Sequence, residues 1–178
     1  MIPRPRIALS FLSLFSVLVC IGQRKVPFGE ILLKERQLTQ YKKDTTAHAV
    51  VLYERGDNYF KIIDRNIRLV KEYHVKIKIL DREGFDEGTV EIPWYHNNSL
   101  AEKITQLKAV THNGTQQYNV LPSEIFDKDV SERWTVKSFT FPKMEVGSIL
   151  EYAYTLVTPF HFNFNGWDFQ TSIPKVHS

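Results

Sequence analysis

The sequence predicts a mainly β protein, an antiparallel β-sandwich with one short N-terminal helix. From residue 46 onward, short runs of β-branched and aromatic residues alternate with turn residues, a pattern typical of sandwiches and barrels. Aromatic residues make up 13% of the 178 residues, and aromatic side chains dominate the cores of β proteins. Only residues 30–40 have the apolar spacing of a short amphipathic helix.

Two segments have the strict alternation of strands with one buried face. In residues 73–79, apolar side chains alternate with a histidine and two lysines, which predicts one buried and one solvated face. Residues 149–157 alternate without an interrupting proline, so we expect a central strand there. Its predicted buried face consists of Leu150, Tyr152, Tyr154 and Leu156.

Turn residues predict two hairpins. Asn113 and Gly114 form the strongest short signal for a β-hairpin turn. A second turn is predicted at residues 56–58, which read Gly-Asp-Asn. This second turn would join strands at residues 47–54 and 59–63.

The first 22 residues have the composition of a secretory signal peptide. Two arginines precede an uncharged run over residues 7–22, which is too short and too rich in serine for a membrane-spanning helix. Cys20 and Gly22 supply the small side chains that precede a cleavage site. We therefore predict that the exported chain begins at Gln23.

Residues 23–178 are predicted to form one exported β-sandwich domain without a membrane span. Its expected location is the periplasm, the cell surface or the extracellular space. The lone cysteine, Cys20, is removed with the leader, so the mature chain has no disulfide. An alternative makes Cys20 a lipid-anchored residue, but Val17 and Val19 are β-branched where such a motif prefers small side chains.

Charge and motif content exclude several classes of function. Without the leader, 21 basic residues stand against 20 acidic ones, so a polybasic groove for nucleic acid is not expected. The six histidines are scattered without the spacing of a zinc site, and no phosphate-binding loop or G-x-S-x-G elbow occurs. We therefore predict that the protein is not an enzyme and binds no cofactor and no metal.

One acidic segment needs a separate interpretation. Four carboxylates crowd around Gly84, a density that suits calcium, but their spacing does not match a calcium-binding loop. A solvated turn whose charges discourage edge pairing is the favoured interpretation. The four residues are Asp81, Glu83, Asp86 and Glu87.

A cluster of aromatic residues near the C-terminus is the candidate binding surface. Pro159 and Gly166 interrupt regular pairing in this segment, so exposed rings could contact a partner domain or stack on sugar rings. The alternative is that the rings fill the core of a final strand. The candidate binding residues are Phe160, Phe162, Phe164 and Trp167.

Several stretches, taken in order, resemble one known family. They read KIKILDREG at 76–84, VEIP at 90–93, FTFP at 139–142, VGSILEY at 146–152 and WDFQ at 167–170. Together they resemble domain of unknown function 3857, over nearly all of the chain that follows the leader. The resemblance implies an exported, mostly β module that precedes a transglutaminase-like domain in Bacteroidetes-type proteins. Any Cys-His-Asp machinery would then belong to that following domain.

These observations lead to one expectation and one alternative. We expect a non-catalytic module that acts by protein contact. Its partner would be a neighbouring transglutaminase-like or peptidase-like domain, or another exported protein. The alternative is a carbohydrate- or peptide-binding module that uses exposed aromatic side chains.

Overall fold

Eight antiparallel strands form the framework of the computed structural model, which describes residues 25–161 and 171–176. They are β1 (Ala49–Ile63), β2 (Asn66–Ile79), β3 (Thr89–Tyr95), β4 (Lys103–Asn113), β5 (Gln116–Asn119), β6 (Phe126–Asp129), β7 (Trp134–Thr140) and β8 (Ile149–Thr158). One sheet has five strands in the order β1-β2-β8-β4-β5, and the other has three in the order β3-β7-β6. The predicted fold class, a mainly β antiparallel sandwich, is confirmed.

The main core lies between the two sheets. Val75 and Leu150 from the larger sheet pack in one cluster with Ile92 and Phe139 from the smaller sheet, and each is at most 4% exposed. Burial of these apolar side chains is the main driving force for packing one sheet on the other.

The predicted central strand is confirmed as β8, which pairs with β2 along one edge and with β4 along the other. On the face turned toward the smaller sheet, Leu150 and Leu156 are 0% and 3% exposed, and Tyr152 and Tyr154 are half-buried. The alternation of residues 149–157 therefore identified the core face correctly.

We expect Leu156→Ala to lower the free energy of unfolding by about 2 to 5 kcal/mol, the usual range for truncating a buried leucine. The loss has two parts, the removed apolar contact area and the cavity that is left behind. Urea denaturation measures it, with Val146→Ala as the control because Val146 is 51% exposed. A loss no larger than that of the control would contradict the burial of this face.

The turn predicted at residues 56–58 is wrong. Strand β1 continues through this segment, where Gly56 pairs with Tyr73 of β2. The chain turns instead at Asp64 and Arg65, whose φ angles of 50° and 63° match a two-residue hairpin loop. A continuous partner strand of 14 residues satisfies the backbone of residues 56–58, so this turn-forming sequence stays extended.

The hairpin predicted at Asn113 and Gly114 is confirmed. Strands β4 and β5 pair up to Asn113 and Gln116, so the turn is formed by two residues. Gly114 has a φ of 58°, which glycine adopts without steric cost.

Residues 25–41 lie across the outer face of the five-stranded sheet, and we call this segment the strap. The helix predicted over residues 30–40 is reduced to α1 (Leu33–Arg36), whose Glu35 side chain accepts hydrogen bonds from the Leu32 N–H and from Lys76 of β2. Two 3₁₀ turns, Glu83–Gly88 and Pro122–Glu124, are the other helical elements in the described part of the chain. None of these helices is long and apolar enough to cross a membrane.

The solvated face predicted for residues 73–79 is wrong, because the strap covers it. Lys76 and Lys78 are 0% and 2% exposed. Lys76 Nζ donates to both carboxylate oxygens of Glu35 at 2.8 and 2.9 Å. Lys78 Nζ donates to the carbonyl oxygens of Arg36 and Gly147. The sheet is therefore buried on both faces along this part of β2.

Candidate functional site

A buried carboxylate, Glu151 of β8, joins three elements on the outer face of the larger sheet. His74 of β2 and His112 of β4 each place Nε2 at 2.7 Å from one of its carboxylate oxygens. The backbone N–H of Gly29 in the strap donates to both oxygens at 3.0 Å. Glu151 is 0% exposed, so protein groups take the place of its hydration shell.

The register of the sheet explains this arrangement. His74 pairs with Ala153 and His112 pairs with Ile149, so the two histidines are the diagonal neighbours of Glu151 on adjacent strands. Diagonal positions on one face are within reach of long side chains. Two β-strand partners can therefore meet one carboxylate from opposite sides.

The charge state of Glu151 follows from its partners. Burial raises the pKa of this carboxyl group, but hydrogen bonds from His112, His74 and the Gly29 amide more than offset burial and lower the pKa to about 2. An ionised carboxylate only accepts hydrogen bonds, so both imidazoles donate from Nε2. In a neutral His74 the remaining ring nitrogen, Nδ1, is then a hydrogen-bond acceptor.

We expect the carboxyl group of Glu151 to titrate near pH 2, well below the value of 4.5 for an unperturbed glutamate. Because the pKa is lowered by folding, the stability that Glu151 contributes is present above pH 4.5 and is lost as the pH falls toward 2. The side-chain ¹³C chemical shift of Glu151, followed by NMR between pH 6 and 2, measures this. A midpoint at or above that of the exposed glutamates would contradict the network.

An open cleft of about 780 Å³ lies beside the Glu151 network. Its floor is the outer face of β2, β8 and β4, and the first residues of the strap form a wall. The ring of Phe28 in that wall lies 5.7 Å from the ring of His74, and Lys108 Nζ lies 5.9 Å from the Phe28 centroid. The cleft is within the range of volumes typical of small-molecule sites.

Two ion pairs line the rim of the cleft. Arg55 Nε donates to Asp57 at 2.8 Å, and Lys25 Nζ donates to Glu72 at 3.0 Å. The hydrogen bond to Arg55 lowers the pKa of Asp57, and the hydrogen bond to Lys25 lowers the pKa of Glu72. Both carboxylates therefore stay charged near neutral pH, where they can accept further hydrogen bonds.

A β-bulge shapes the opposite rim. The register between β4 and β8 shifts between Thr105 and Lys108, and Gln106 within the bulge has a φ of 53°. Thr155 Oγ1 donates to Gln106 Oε1 at 3.1 Å. Bulges redirect side chains and are frequent beside functional sites, and a positive φ in a residue other than glycine is uncommon.

The end of the β1–β2 hairpin, which extends past Thr158 of β8, carries exposed apolar side chains. His161 contacts it at the Phe60 ring and at the Ile67 carbonyl oxygen. Phe60, Ile62 and Ile67 are 56%, 74% and 56% exposed. Ile62 pairs with Ile67, and Phe60 is two residues from Ile62 on the same strand, so all three side chains share one face. We call these three residues the hairpin patch.

Only one of the four predicted binding residues lies in the described part of the chain. Phe160 is half-buried, with its ring edge-on to Tyr95 at a centroid distance of 4.9 Å, and its backbone N–H donates to Thr158 Oγ1. Phe162, Phe164 and Trp167 lie outside the described residues. The hypothesis of an aromatic binding surface there stays a prediction.

The acidic segment forms the 3₁₀ turn Glu83–Gly88. Asp81 Oδ1 accepts the backbone N–H of Glu83 at 3.0 Å, and Asp81 Oδ2 accepts from His48 Nδ1 at 2.8 Å. Ligand atoms of His48, Asp81 and Glu83 lie within 4.8 Å of one another, so these three residues could hold a metal ion. The bond from the Glu83 N–H to Asp81 also serves a simple turn.

Sequence reasoning missed the Glu151 network. His74, His112 and Glu151 are separated by 38 and 39 residues, and each belongs to a different strand. No local motif identifies such a set. The one available signal was a charged residue in the middle of an apolar alternating strand, where Glu151 follows Leu150.

A crystal structure described as a "putative protease" from Parabacteroides distasonis is similar to the chain, with a TM-score of 0.49 and 8% sequence identity. The similarity covers 62% of this chain and 23% of that one. Comparison with curated proteins finds no match.

Residues 66–178 match the family described as a Domain of Unknown Function with a solved structure (DUF3857). The matched segment is more than half of the chain, and it contains His74, His112 and Glu151 but neither the strap nor β1. The resemblance found in the short sequence stretches is thereby confirmed. This chain belongs to the domain of unknown function 3857 family.

Proposed function

We propose that the protein is an exported, non-catalytic module that acts by protein contact through the hairpin patch. The observation that carries the proposal is the exposure of Phe60, Ile62 and Ile67 on one face of a projecting hairpin. Isolated exposed apolar residues are ordinary, but three on one face of a two-stranded projection form a contiguous apolar surface.

The Glu151 network supports a structural role for the polar residues that most resemble catalytic groups. Both histidines give Nε2 to Glu151, and the carboxylate is fully buried and accepts from three separate groups. A general base must reach the proton that it removes, whereas Glu151 has no exposed atom surface. Its geometry holds the strap against the sheet.

The chemistry of the patch favours a protein surface as the occupant. Branched aliphatic side chains such as Ile62 and Ile67 offer neither hydrogen bonds nor a flat ring for a sugar. Lys61 and its partner Arg68 point to the opposite face of the hairpin, and one acidic and one basic residue, Asp64 and Arg65, form the turn. We infer a partner surface that is apolar where it meets these three side chains.

The proposed partner is taken from the family resemblance. In related exported proteins a module of this kind precedes a transglutaminase-like domain, so a neighbouring domain of that type, or another exported protein, is the proposed occupant. The neighbouring domain would carry the catalytic chemistry, and this module would position it.

Site-specific photocrosslinking in the exporting cell tests the proposal. A photoreactive amino acid replaces Ile62 in one variant and Val146 in a control, since both are exposed apolar residues, and Val146 lies near the opposite end of β2. We expect position 62 alone to cross-link to one exported protein or domain, identified by mass spectrometry, through an apolar contact surface. Cross-links to lipid alone, equal products at both positions, or no product at position 62 would overturn the proposal.

Export itself is part of the proposal, and we expect the mature chain to begin at Gln23. The cleavage site follows from the small side chains of Cys20 and Gly22 after the apolar run. Intact-mass measurement of the protein recovered outside the cytoplasm decides the point. A mass that retains Cys20 with an attached lipid would support the lipoprotein alternative instead.

A further inference from the structure

We infer that the cleft beside the Glu151 network is a carbohydrate-binding site. It would bind a neutral sugar over Ala153, between His74 and Lys108. This inference is independent of the hairpin patch, which lies on the opposite face of the β1–β2 hairpin, and it uses none of the C-terminal aromatic residues.

The sheet register places a small side chain between two long ones on the floor of the cleft. His74 of β2 and Lys108 of β4 both pair with Ala153 of β8, so the three residues form one row across the outer face. Alanine is the smallest side chain in that row, and it lies between two long ones. The cleft floor is therefore low over Ala153 and flanked by polar groups on both sides.

The two flanking groups have opposite hydrogen-bonding roles. Because His74 gives Nε2–H to the ionised Glu151, neutral His74 offers only an acceptor, Nδ1, to a ligand. Lys108 offers an ammonium donor, whose contact in the described part of the chain is the Phe28 ring at 5.9 Å. A ligand hydroxyl group can donate to His74 Nδ1, and another oxygen of the same ligand can accept from the Lys108 ammonium group.

The site is held by surrounding contacts. Glu151 and the rings of Phe28 and Tyr53, with centroids at 5.7 and 5.1 Å, restrain the His74 ring. On the other side, the β4 bulge brings Gln106 to the rim, where it accepts a hydrogen bond from Thr155. Supporting contacts of this kind keep a binding geometry fixed before the ligand arrives.

Charge balance selects a neutral polyhydroxyl ligand over an ion. The cations Arg55 and Lys25 on the rim are each paired with a carboxylate, Asp57 and Glu72. With Lys108, three cations and two carboxylates line the cleft, so its net charge is small and many donor and acceptor atoms lie close together. Sugar hydroxyls act as both donor and acceptor, and each can pair with such a mixed set, whereas a simple anion would meet two carboxylates.

The experiment uses the exported full chain and three neutral oligosaccharides, built from glucose, xylose and N-acetylglucosamine. Isothermal titration calorimetry at millimolar sugar measures binding. Ala153→Leu fills the floor, Lys108→Met removes the donor, and Lys103→Met is the matched control on the same strand, since Lys103 lies outside the residues that line the cleft. Circular dichroism confirms that each variant is folded.

We expect at least one of the sugars to bind. Ala153→Leu and Lys108→Met should each weaken binding by about tenfold or more, equivalent to about 1.4 kcal/mol, with no change for Lys103→Met. Cleft residues should also show the largest NMR shift changes on addition of the sugar. Absence of binding by all three sugars, binding that Ala153→Leu leaves intact, or binding of a short peptide but no sugar would each overturn the inference. Substitutions in the hairpin patch should leave the sugar affinity unchanged. The sugar-binding inference and the proposed protein contact can therefore fail independently of each other.

Discussion

Glu151→Ala is expected to lower the free energy of unfolding by about 3 to 5 kcal/mol. The change removes the common acceptor of His74, His112 and the Gly29 N–H. Each buried donor that loses its partner costs about 1 to 3 kcal/mol, and the relief of burying a carboxylate offsets part of the sum.

Urea denaturation measures the loss, with Glu132→Ala as the control because Glu132 is exposed in the loop between β6 and β7. Hydrogen exchange supplies a second readout. The Glu151→Ala substitution removes the Gly29 contact, so we expect it to increase the amide exchange rates of the strap more than those of β8. A loss equal to that of the control, with an unchanged strap, would show that the network contributes little.

Lys76→Ala is the second change expected to have a large effect, again about 3 to 5 kcal/mol of unfolding free energy. Lys76 is 0% exposed and donates to Glu35 at 2.8 and 2.9 Å and to the Glu30 carbonyl at 3.2 Å. Removing the ammonium group leaves the Glu35 carboxylate, 9% exposed, without its cationic partner. Breaking one side of a buried ion pair costs far more than the pair itself contributes.

The double variant Lys76→Met with Glu35→Met separates the cost of leaving the Glu35 carboxylate unpaired from the contribution of the ion pair itself. Replacing both charges with apolar side chains removes the burial cost of each, so we expect most of the lost stability to return. The same denaturation experiment measures single and double variants, with Lys61→Ala as an exposed control. A double variant as unstable as Lys76→Ala would mean that packing of the strap, and not the unpaired charge, accounts for the loss.

Local pattern was enough to predict part of this fold. Strict alternation over residues 149–157 identified the central strand β8 and its core face, because a period of two places alternate side chains on opposite faces. The Asn113-Gly114 turn was equally clear, since few dipeptides favour the backbone angles of a tight hairpin. The family could also be identified from short stretches spread over the matched region.

The local sequence pattern was not enough to predict the structure where a distant segment of the chain packs against a residue. The hairpin turn lies at Asp64 and Arg65, and not at the Gly-Asp-Asn stretch, because pairing with β2 stabilises the extended backbone there. Turn propensity is a local preference of modest size, and a ladder of backbone hydrogen bonds outweighs it.

Alternation over residues 73–79 and 149–157 indicated two faces, and for residues 73–79 the sequence alone assigned the polar face to solvent. The strap instead buries Lys76 and Glu151, and it does so with groups that satisfy their charges, Glu35 for the lysine and Gly29 with two histidines for the carboxylate. A charged residue is buried only when its partners replace its hydration. Those partners come from segments 39 to 122 residues away, so they became apparent only when the chain was seen folded.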